Sequence, residues 1–187
     1  HRGTLFRMAL QTSTKLTYED FLLLPDDGRR HEILDGEHSV NPSPNTKHQI
    51  VSMRLVLAFG NFIYERGLGQ LFHPPFDVVL GENDVVEPDL IFVSNERANI
   101  ITRTNIQGAP DLVVEILSPS NRGYDERVKY QTYERFGVGE YWIVDPDAEI
   151  VTIYRRTGGK FVRAESGDPL TTPLLPGFSL ELGAIFL

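Results

Sequence analysis

The chain of 187 residues contains no cysteine, which excludes disulfide bonds, thiol nucleophiles and cysteine-ligated zinc. It contains no run of about eighteen apolar residues, so no transmembrane helix is expected. No secretory signal pattern is visible either, and together with the missing cysteines this favours a cytoplasmic protein. Basic residues are also scarce: 18 lysines and arginines stand against 26 aspartates and glutamates, a formal net charge of −8. This charge argues against a surface that binds polyanions everywhere, although it permits a local basic face.

The length predicts one domain with a sizeable core, and no internal repeat or linker divides it. The first residues, up to about residue 15, are expected to be an expression remnant and a flexible N-terminus, with Met8 as the native start. Residues 16–187 are expected to form the single folded domain.

The segment 110–120, PDLVVEILSPS, carries five aliphatic residues around Glu115 and ends at a Ser-Pro-Ser turn. This pattern predicts a central strand that is buried on both faces. Alternation along the strand puts Asp111, Val113, Glu115 and Leu117 on one face. A carboxylate at such a position needs compensation, either from an ion pair or from a metal ion. Both interpretations are open at this point.

The remaining elements predict an α/β domain with a mixed sheet. Asp35-Gly36 predicts a hairpin turn, and apolar residues at helical spacing predict a long helix from His48 to about Glu65, ended by Gly67. Further along the chain the patterns predict a strand pair, 69–73 with 76–80, a strand over 85–93, a helix from Ser120 or Asn121 to Phe136, a strand over 141–144, and a hairpin around Gly158-Gly159.

Two carboxylates are expected to converge if the strand opened by Asp89 is a neighbour of the strand that holds Glu115. Like charges that lie close together raise the pKa of one carboxyl unless a cation lies between them. A hard divalent ion with oxygen ligands would serve this purpose. On the following helix, Asp125, Lys129 and Tyr133 are spaced four residues apart and form one polar stripe. The stripe is either a solvated helix face or a group that carries Lys129 to the mouth of a site.

Taken together, these segments resemble the Uma-type restriction endonuclease family, a member of the PD-(D/E)XK nuclease superfamily. The resemblance rests on the order and spacing of segments 30–36, 86–90, 110–120 and 137–146, with the helix opened by His48 and the stripe of Asp125, Lys129 and Tyr133. It extends from about Leu16 to Phe186. It implies a restriction-endonuclease-like fold: a mixed central sheet flanked by helices, with an N-terminal hairpin extension and a C-terminal β-hairpin.

The resemblance also implies roles for individual residues. Asp89 corresponds to the aspartate of the PD motif, Glu115 to the second acidic residue, and Lys129 to a lysine that has moved to the next helix, because Leu117 stands where lysine is expected. Asp89, Glu115 and the Ile116 carbonyl would hold the metal, while Glu32, His48, Asp125 and Tyr133 would support the site or bind substrate. Asp111 is a rival for the PD aspartate, but it lies four residues from Glu115 on one strand, about 13 Å away.

The function implied by the resemblance is Mg²⁺-dependent hydrolysis of phosphodiester bonds in nucleic acid, with DNA as the expected substrate and Mn²⁺ as a substitute ion. An alternative is a nuclease-like domain with little or no catalysis that serves binding or assembly, and a weaker one is a hydrolase of small phosphate esters. No membrane association is expected, and a homodimer is an open alternative. In the metal-free protein, Asp89 or Glu115 is expected to have a raised pKa.

Overall fold

The computed structural model describes residues 15–119, 122–165 and 167–186 and forms two β-sheets flanked by helices. The five-stranded sheet has the order β2-β1-β5-β4-β7 and the six-stranded sheet the order β11-β10-β9-β8-β6-β3. The strands are β1 Arg30–Leu34, β2 Glu37–Asn41, β3 Gly69–Phe72, β4 Val78–Gly81, β5 Asp84–Val86, β6 Leu90–Ser94, β7 Ile106–Gln107, β8 Leu112–Ile116, β9 Glu140–Asp145, β10 Ile150–Thr157 and β11 Lys160–Arg163.

The helices lie at the ends of the chain and between the strands. They are α1 Tyr18–Phe21, α2 Thr46–Arg66, a 3-10 turn Asn95–Ile100, α3 Arg122–Tyr124, a π-helical turn Asp125–Lys129, α4 Tyr130–Phe136 and α5 Leu182–Ile185. None of the helices within the described residues is long and apolar enough to cross a membrane. Residues 1–14, where Met8 lies, are outside the described part of the chain, as are Ser120 and Asn121. Lys15 is within it, and its side chain pairs with Asp35.

The segment around Glu115 is the predicted central strand. All five residues of β8 are buried. β8 pairs in parallel with β9 and antiparallel with β6, in the register Leu90↔Val114 and Ile91↔Val113. The prediction that the strand opened by Asp89 is a neighbour of the central strand is therefore confirmed.

The two faces of β8 pack against different layers, as the alternation predicts. On one face, Leu112, Val114 and Ile116 lie in a core with α2 and the C-terminal residues Phe178 to Phe186. On the other, Val113 and Leu117 pack with residues of the five-stranded sheet and with Tyr133 of α4. Because Glu115 is on this second face, its carboxylate lies between the two sheets. The apolar tail docks on its own chain, where Ile185 and Phe186 are buried.

Two strand predictions are wrong. The segments 69–73 and 76–80 do not pair: β3 lies in the six-stranded sheet and β4 in the five-stranded one. The predicted strand 85–93 is likewise divided, because β5 ends at Val86 and β6 begins at Leu90 in the other sheet. Pro88 has no N–H for a sheet ladder, so the chain leaves one sheet there and joins the other. The crossing segment 87–89 carries Glu87 and Asp89.

The turn predictions are confirmed. Asp35 and Gly36 both have positive φ, 51° and 79°, as the tight β1–β2 hairpin requires. Gly67 ends α2 with φ 60°, and Gly137 ends α4 with φ 93°. The C-terminal hairpin of β10 and β11 turns at Gly158 and Gly159. The fold thus has the expected mixed α/β architecture with flanking helices and two hairpins, with its strands in two mixed sheets where one central sheet was predicted.

Candidate active site between the two sheets

Asp89 lies at the start of β6 and is held by three donors. Its Oδ1 accepts a hydrogen bond from Arg30 at 2.8 Å. Its Oδ2 lies 3.1 Å from His48 Nε2 and accepts the main-chain N–H of Ile116 at 2.8 Å. Burial alone would raise the pKa of Asp89, but the hydrogen bond and charge of His48, together with Arg30, outweigh burial and lower the pKa to about 2. Asp89 is therefore an anion at every physiological pH.

Glu115 and Lys129 form a buried ion pair next to Asp89. Lys129 Nζ lies 3.0 Å from Glu115 Oε1 and 3.0 Å from Glu32 Oε1. Tyr133 donates a hydrogen bond of 2.6 Å to the same Glu115 oxygen. Burial, with the charges of Glu115 and Glu32, raises the pKa of Tyr133 well above its ordinary value, so its hydroxyl stays a donor. Lys129 therefore links Glu32 of the five-stranded sheet to Glu115 of the six-stranded sheet.

Glu32 and Glu87 form a second carboxylate pair at the sheet crossing. Glu32 Oε1 accepts the main-chain N–H of Glu87 at 2.9 Å. The Oε2 atoms of both residues are buried without a hydrogen-bond partner among the described residues. Burial, with the negative charges of Asp77 and Glu32, raises the pKa of Glu87 to about 7. Glu87 is therefore partly protonated at neutral pH.

The strand register aligns Asp89 with Glu115. Continued by one residue, the pairing Leu90↔Val114 sets Asp89 opposite Glu115 on the same face. The Asp89 side chain bonds the N–H of Ile116, the neighbour of Glu115. Burial by itself would lower the pKa of Arg30. The charges of Asp89, Glu115 and Glu32 outweigh burial and raise this pKa overall. One face of the crossing thus holds three carboxylates with Arg30 and Lys129 as their cations.

A cleft of about 330 Å³ opens onto this cluster and gives access to Asp89. Its walls come from the β1 region, the first turns of α2 and the 73–75 loop. Two acidic residues line it, Asp26 and Asp89. The other hydrogen-bonding groups are basic or neutral polar ones: Arg29, Arg30, His48, Gln49, Ser52 and His73. An anionic ligand would meet these groups before it reached Asp89.

The sequence-predicted residues converge, with some corrections. Asp89, Glu115, Lys129, Glu32, His48 and Tyr133 lie in one hydrogen-bonded region, and Ile116 contributes its N–H to it. Lys129, however, is not at a site mouth: it is 1% exposed, because the five-stranded sheet covers its helix and Glu32 reaches it from β1. Tyr133 supports the site through Glu115, because it donates to the oxygen that Lys129 also bonds. The Asp125 side chain is outside the described part of the structure.

The pKa expectation is wrong for Asp89, whose pKa is lowered because three donors surround it. In this region the carboxyl group of Glu87 has a raised pKa. Asp111 has partners of its own outside the Asp89 cluster. Its Oδ2 accepts the Ser94 N–H at 2.7 Å and its other oxygen faces Arg97. Among the described residues, no group of three or more acidic or histidine side chains converges in a form that could hold a metal ion.

Two residues of this region were missed by the sequence argument. Arg30 binds Asp89, and Glu87 is the buried carboxyl with the raised pKa. A signal for Arg30 was present, because alternation along β1 puts Arg30 on the same face as Glu32. Glu87 adjoins the PD motif, but its pKa depends on burial and on Asp77, ten residues away, and no local pattern reveals either.

Comparisons with known proteins agree with this fold. Residues 18–183 match the Uma2 family, described as "Putative restriction endonuclease". The uncharacterized protein slr1290 of Synechocystis sp. is 25% identical over 176 residues, which cover 92% of this chain and 87% of that protein. The crystal structure of a "putative nuclease belonging to DUF820" from Anabaena variabilis superposes with a TM-score of 0.76 at 21% identity, over 91% of this chain and 97% of that one. The fold is thus that of a solved nuclease-like structure, and the chain belongs to the Uma2 family of restriction-endonuclease-like proteins.

Proposed function

We propose that the protein is a Mg²⁺-dependent endonuclease that hydrolyses phosphodiester bonds, with DNA as its substrate. The observation that carries the proposal is the buried Lys129 ammonium, bonded to Glu115 on the strand beside Asp89. Its ammonium lies 3.0 Å from a carboxylate oxygen of Glu32 and 3.0 Å from one of Glu115, and opposite charges at such distances favour the charged form of a lysine. Such a charge is suited to stabilise the negative charge that develops on a phosphate during hydrolysis.

The donor set fits Mg²⁺, because this ion takes one or two carboxylates and completes its coordination with water and substrate phosphate. A third acidic side chain is therefore not needed. Asp89, Glu115 and the Ile116 carbonyl would hold the ion, and the partnerless Glu32 Oε2 is a further oxygen nearby. When bound, the ion would supply Lewis acidity toward the phosphate and lower the pKa of water. Mn²⁺ prefers similar oxygen ligands and is expected to substitute for it.

Arg30 and His48 would have two tasks. In the metal-free protein they contact the two oxygens of Asp89, at 2.8 and 3.1 Å. Both also line the cleft, so a phosphate there could accept hydrogen bonds from Arg30. His48 Nε2 orients Asp89 from the first turn of α2. The cleft donors thereby give a local anion-binding region within a protein of charge −8.

A second candidate function is a nuclease-like domain without catalysis, used for binding. It is favoured by the engagement of both Asp89 oxygens, since a metal ion must displace Arg30 or His48 to reach them. The pairing of Glu115 with both Lys129 and Tyr133 points the same way.

The experiment that separates the two functions is a cleavage assay on plasmid DNA, single-stranded DNA and RNA, with Mg²⁺, with Mn²⁺ and with EDTA. We expect metal-dependent cleavage of DNA, lost in Asp89→Asn because a neutral amide is a poor ligand for a hard cation. Asp111→Asn is the matched control, since it is also an aspartate after a proline but binds only Ser94 and Arg97. Absence of cleavage on all three substrates with either metal would contradict the enzyme proposal.

A further inference from the structure

The outward face of α2 carries an apolar stripe. Ile50, Met53, Leu57 and Tyr64 are 45%, 59%, 55% and 54% exposed. The opposite face of the same helix is buried in the core, through Val51, Leu55, Phe59 and Ile63 among others. Because α2 already buries one apolar face, the exposed stripe is not needed for packing within the chain.

The stripe is also free of charge. Between Lys47 and Glu65 the only lysine, arginine or acidic residue is Arg54, which is directed to the Ile185 carbonyl at 3.1 Å. A solvated helix face normally carries charged or polar residues, and this protein has an abundance of acidic ones. Single exposed apolar residues need no explanation, but a row of four on one helix marks an interaction surface.

Three of the four stripe residues, Ile50, Leu57 and Tyr64, are evenly spaced along the helix. At about 100° per residue, Ile50, Met53, Leu57 and Tyr64 fall within an arc of about 60°. Leu57 is central, with Ile50 seven residues before it and Tyr64 seven residues after it. A two-fold axis through Leu57 would bring Leu57 against itself and Ile50 against the partner subunit's Tyr64, so the surface is complementary to its own copy.

We propose that this stripe is the interface of a homodimer in which two α2 helices pack antiparallel. The charges at its ends determine the direction. Lys47 and Glu65 are 18 residues apart, about five full turns, so both flank the stripe on the same side. An antiparallel pair sets Lys47 beside the partner subunit's Glu65 at both ends, whereas a parallel pair would leave Lys47 and the partner subunit's Glu65 at opposite ends of the helices. In the single chain, Lys47 contacts the exposed Asp147 at 3.1 Å, and both side chains are more than half exposed.

A small cavity of about 100 Å³ next to Ile50 supports this arrangement. Its apolar wall includes Ile50, Val51 and Phe186. The two-fold axis brings the partner subunit's Tyr64 to this end of the stripe. Tyr64 is held in place on its own chain, because its hydroxyl bonds both the N–H and the carbonyl of Leu71 at 3.2 Å. A fixed aromatic ring beside an apolar cavity is a typical interface anchor.

The dimer would have a consequence for the two clefts. His48 lies nine residues before Leu57, so the two copies of His48 would be about 27 Å apart along the helix axes. The clefts would then lie at opposite ends of the helix pair. This dimer does not depend on the proposed catalysis and would form in its absence.

The absence of cysteine permits a direct test of the pairing. Leu57→Cys should form a disulfide between two copies under mild oxidation, because helices packed 8–10 Å apart bring facing Cα atoms to within disulfide range. Ile50→Cys is the matched control: in the antiparallel dimer its two copies are about 21 Å apart, so it should not cross-link. Sedimentation equilibrium should give the mass of a dimer for the unmodified protein, and Leu57→Asp should raise the dissociation constant at least about tenfold.

Leu23→Asp provides a second control, since Leu23 is 83% exposed but lies outside the stripe and should not change the mass. A monomeric unmodified protein at every concentration reached would overturn the proposal. So would a Leu57→Asp variant that remains as dimeric as the unmodified chain. Efficient cross-linking of Ile50→Cys would overturn the antiparallel direction.

Discussion

At the scale of single residues, Lys129 is buried, although the sequence pattern predicted it on a solvated helix face or at the mouth of a site. Replacing it with methionine keeps most of the buried volume but removes the ammonium that pairs with both Glu32 and Glu115. Because two buried carboxylates then lose their cation, Lys129→Met should lower the free energy of unfolding by about 3–5 kcal/mol. Urea unfolding in EDTA, followed by circular dichroism, measures this change.

The matched control for Lys129 is Lys160→Met, which removes a lysine that is 77% exposed and paired with Glu134. An exposed pair of this kind contributes about 0–1 kcal/mol. If Lys129→Met proves as mild as Lys160→Met, the buried ion pairs do not stabilise the fold. If the two changes differ as expected, adding Glu32→Gln and Glu115→Gln to Lys129→Met should recover part of the loss, because no unpaired charge then remains.

Glu87 gives the pH dependence of stability a definite sign. Burial, with Asp77 and Glu32, raises its pKa from 4.5 to about 7 in the folded protein. The folded state therefore binds this proton more tightly than the unfolded state. Its contribution to stability is complete below about pH 4.5 and is lost as the pH rises through 7. The loss is about 3 kcal/mol at most, since one unit of pKa corresponds to about 1.4 kcal/mol.

Glu87→Gln should abolish this pH dependence, because the amide is neutral throughout. We expect unfolding in EDTA at pH 5, 6, 7 and 8 to show a decline for the unmodified protein and a flatter profile for the variant. Asp89 acts in the opposite direction, but its lowered pKa confines the effect to the region below about pH 4. Equal slopes for both proteins between pH 5 and 8 would show that Glu87 has an ordinary pKa.

At the scale of helices and strands, the sequence predicts elements whose signal is local. The buried run around Glu115 predicts β8, the Asp35-Gly36 pair predicts the first hairpin, and Gly67 predicts the end of α2. Each depends on a few neighbouring residues, because burial on both faces, a tight turn and a helix end all have their own residue preferences.

The assignment of strands to sheets was less predictable. The chain moves from one sheet to the other near Pro75 and again near Pro88. The residues around these prolines do not indicate either move. The proline signals that a ladder is interrupted, but the partner of the next strand is decided by distant packing. The predicted pairing of 69–73 with 76–80 is therefore wrong, and so is the prediction that one strand extends over 85–93. The individual strand segments nevertheless exist.

The candidate site combines both kinds of information. The convergence of Asp89 and Glu115 follows from two neighbouring strands, which the sequence could suggest. Lys129 and Tyr133, spaced four residues apart, do share one helix face, because both bond Glu115 Oε1. The burial of that face could not be predicted from helical spacing, because Glu32 reaches it from the five-stranded sheet, far away in the sequence.

At the scale of the whole molecule, the net charge of −8 is compatible with the proposed binding of an anion in the cleft, because the cleft is only a small part of the surface. Arg29, Arg30, His48 and His73 are gathered around the cleft. The acidic remainder would repel a polyanion elsewhere and so confine it to this region. The same negative charge also attracts cations in general, so a test for a specific metal ion must separate site binding from a surface effect.

The metal site should be detectable in the stability of the whole protein. A ligand that binds only the folded state stabilises it by mass action, by about 2.7 kcal/mol at one hundred times its dissociation constant. For a chain of this size that corresponds to a rise in Tm of about 5–10 °C. Mn²⁺ must displace Arg30 or His48 from Asp89, so the gain requires an excess of the ion.

Thermal unfolding with increasing Mn²⁺ measures this gain, with EDTA as the reference. Asp89→Asn should remove the rise in Tm, whereas Asp111→Asn, which removes the same single negative charge at the other end of β8, should keep it. Lys129→Met should also keep it, because Lys129 is proposed to act on the phosphate and leaves Asp89 in place to hold the ion. An equal rise in Tm for Asp89→Asn and Asp111→Asn would mean that Mn²⁺ acts on the acidic surface in general. In that case Asp89 is a structural partner of Arg30 and His48, and the metal-dependent mechanism has no site in this protein.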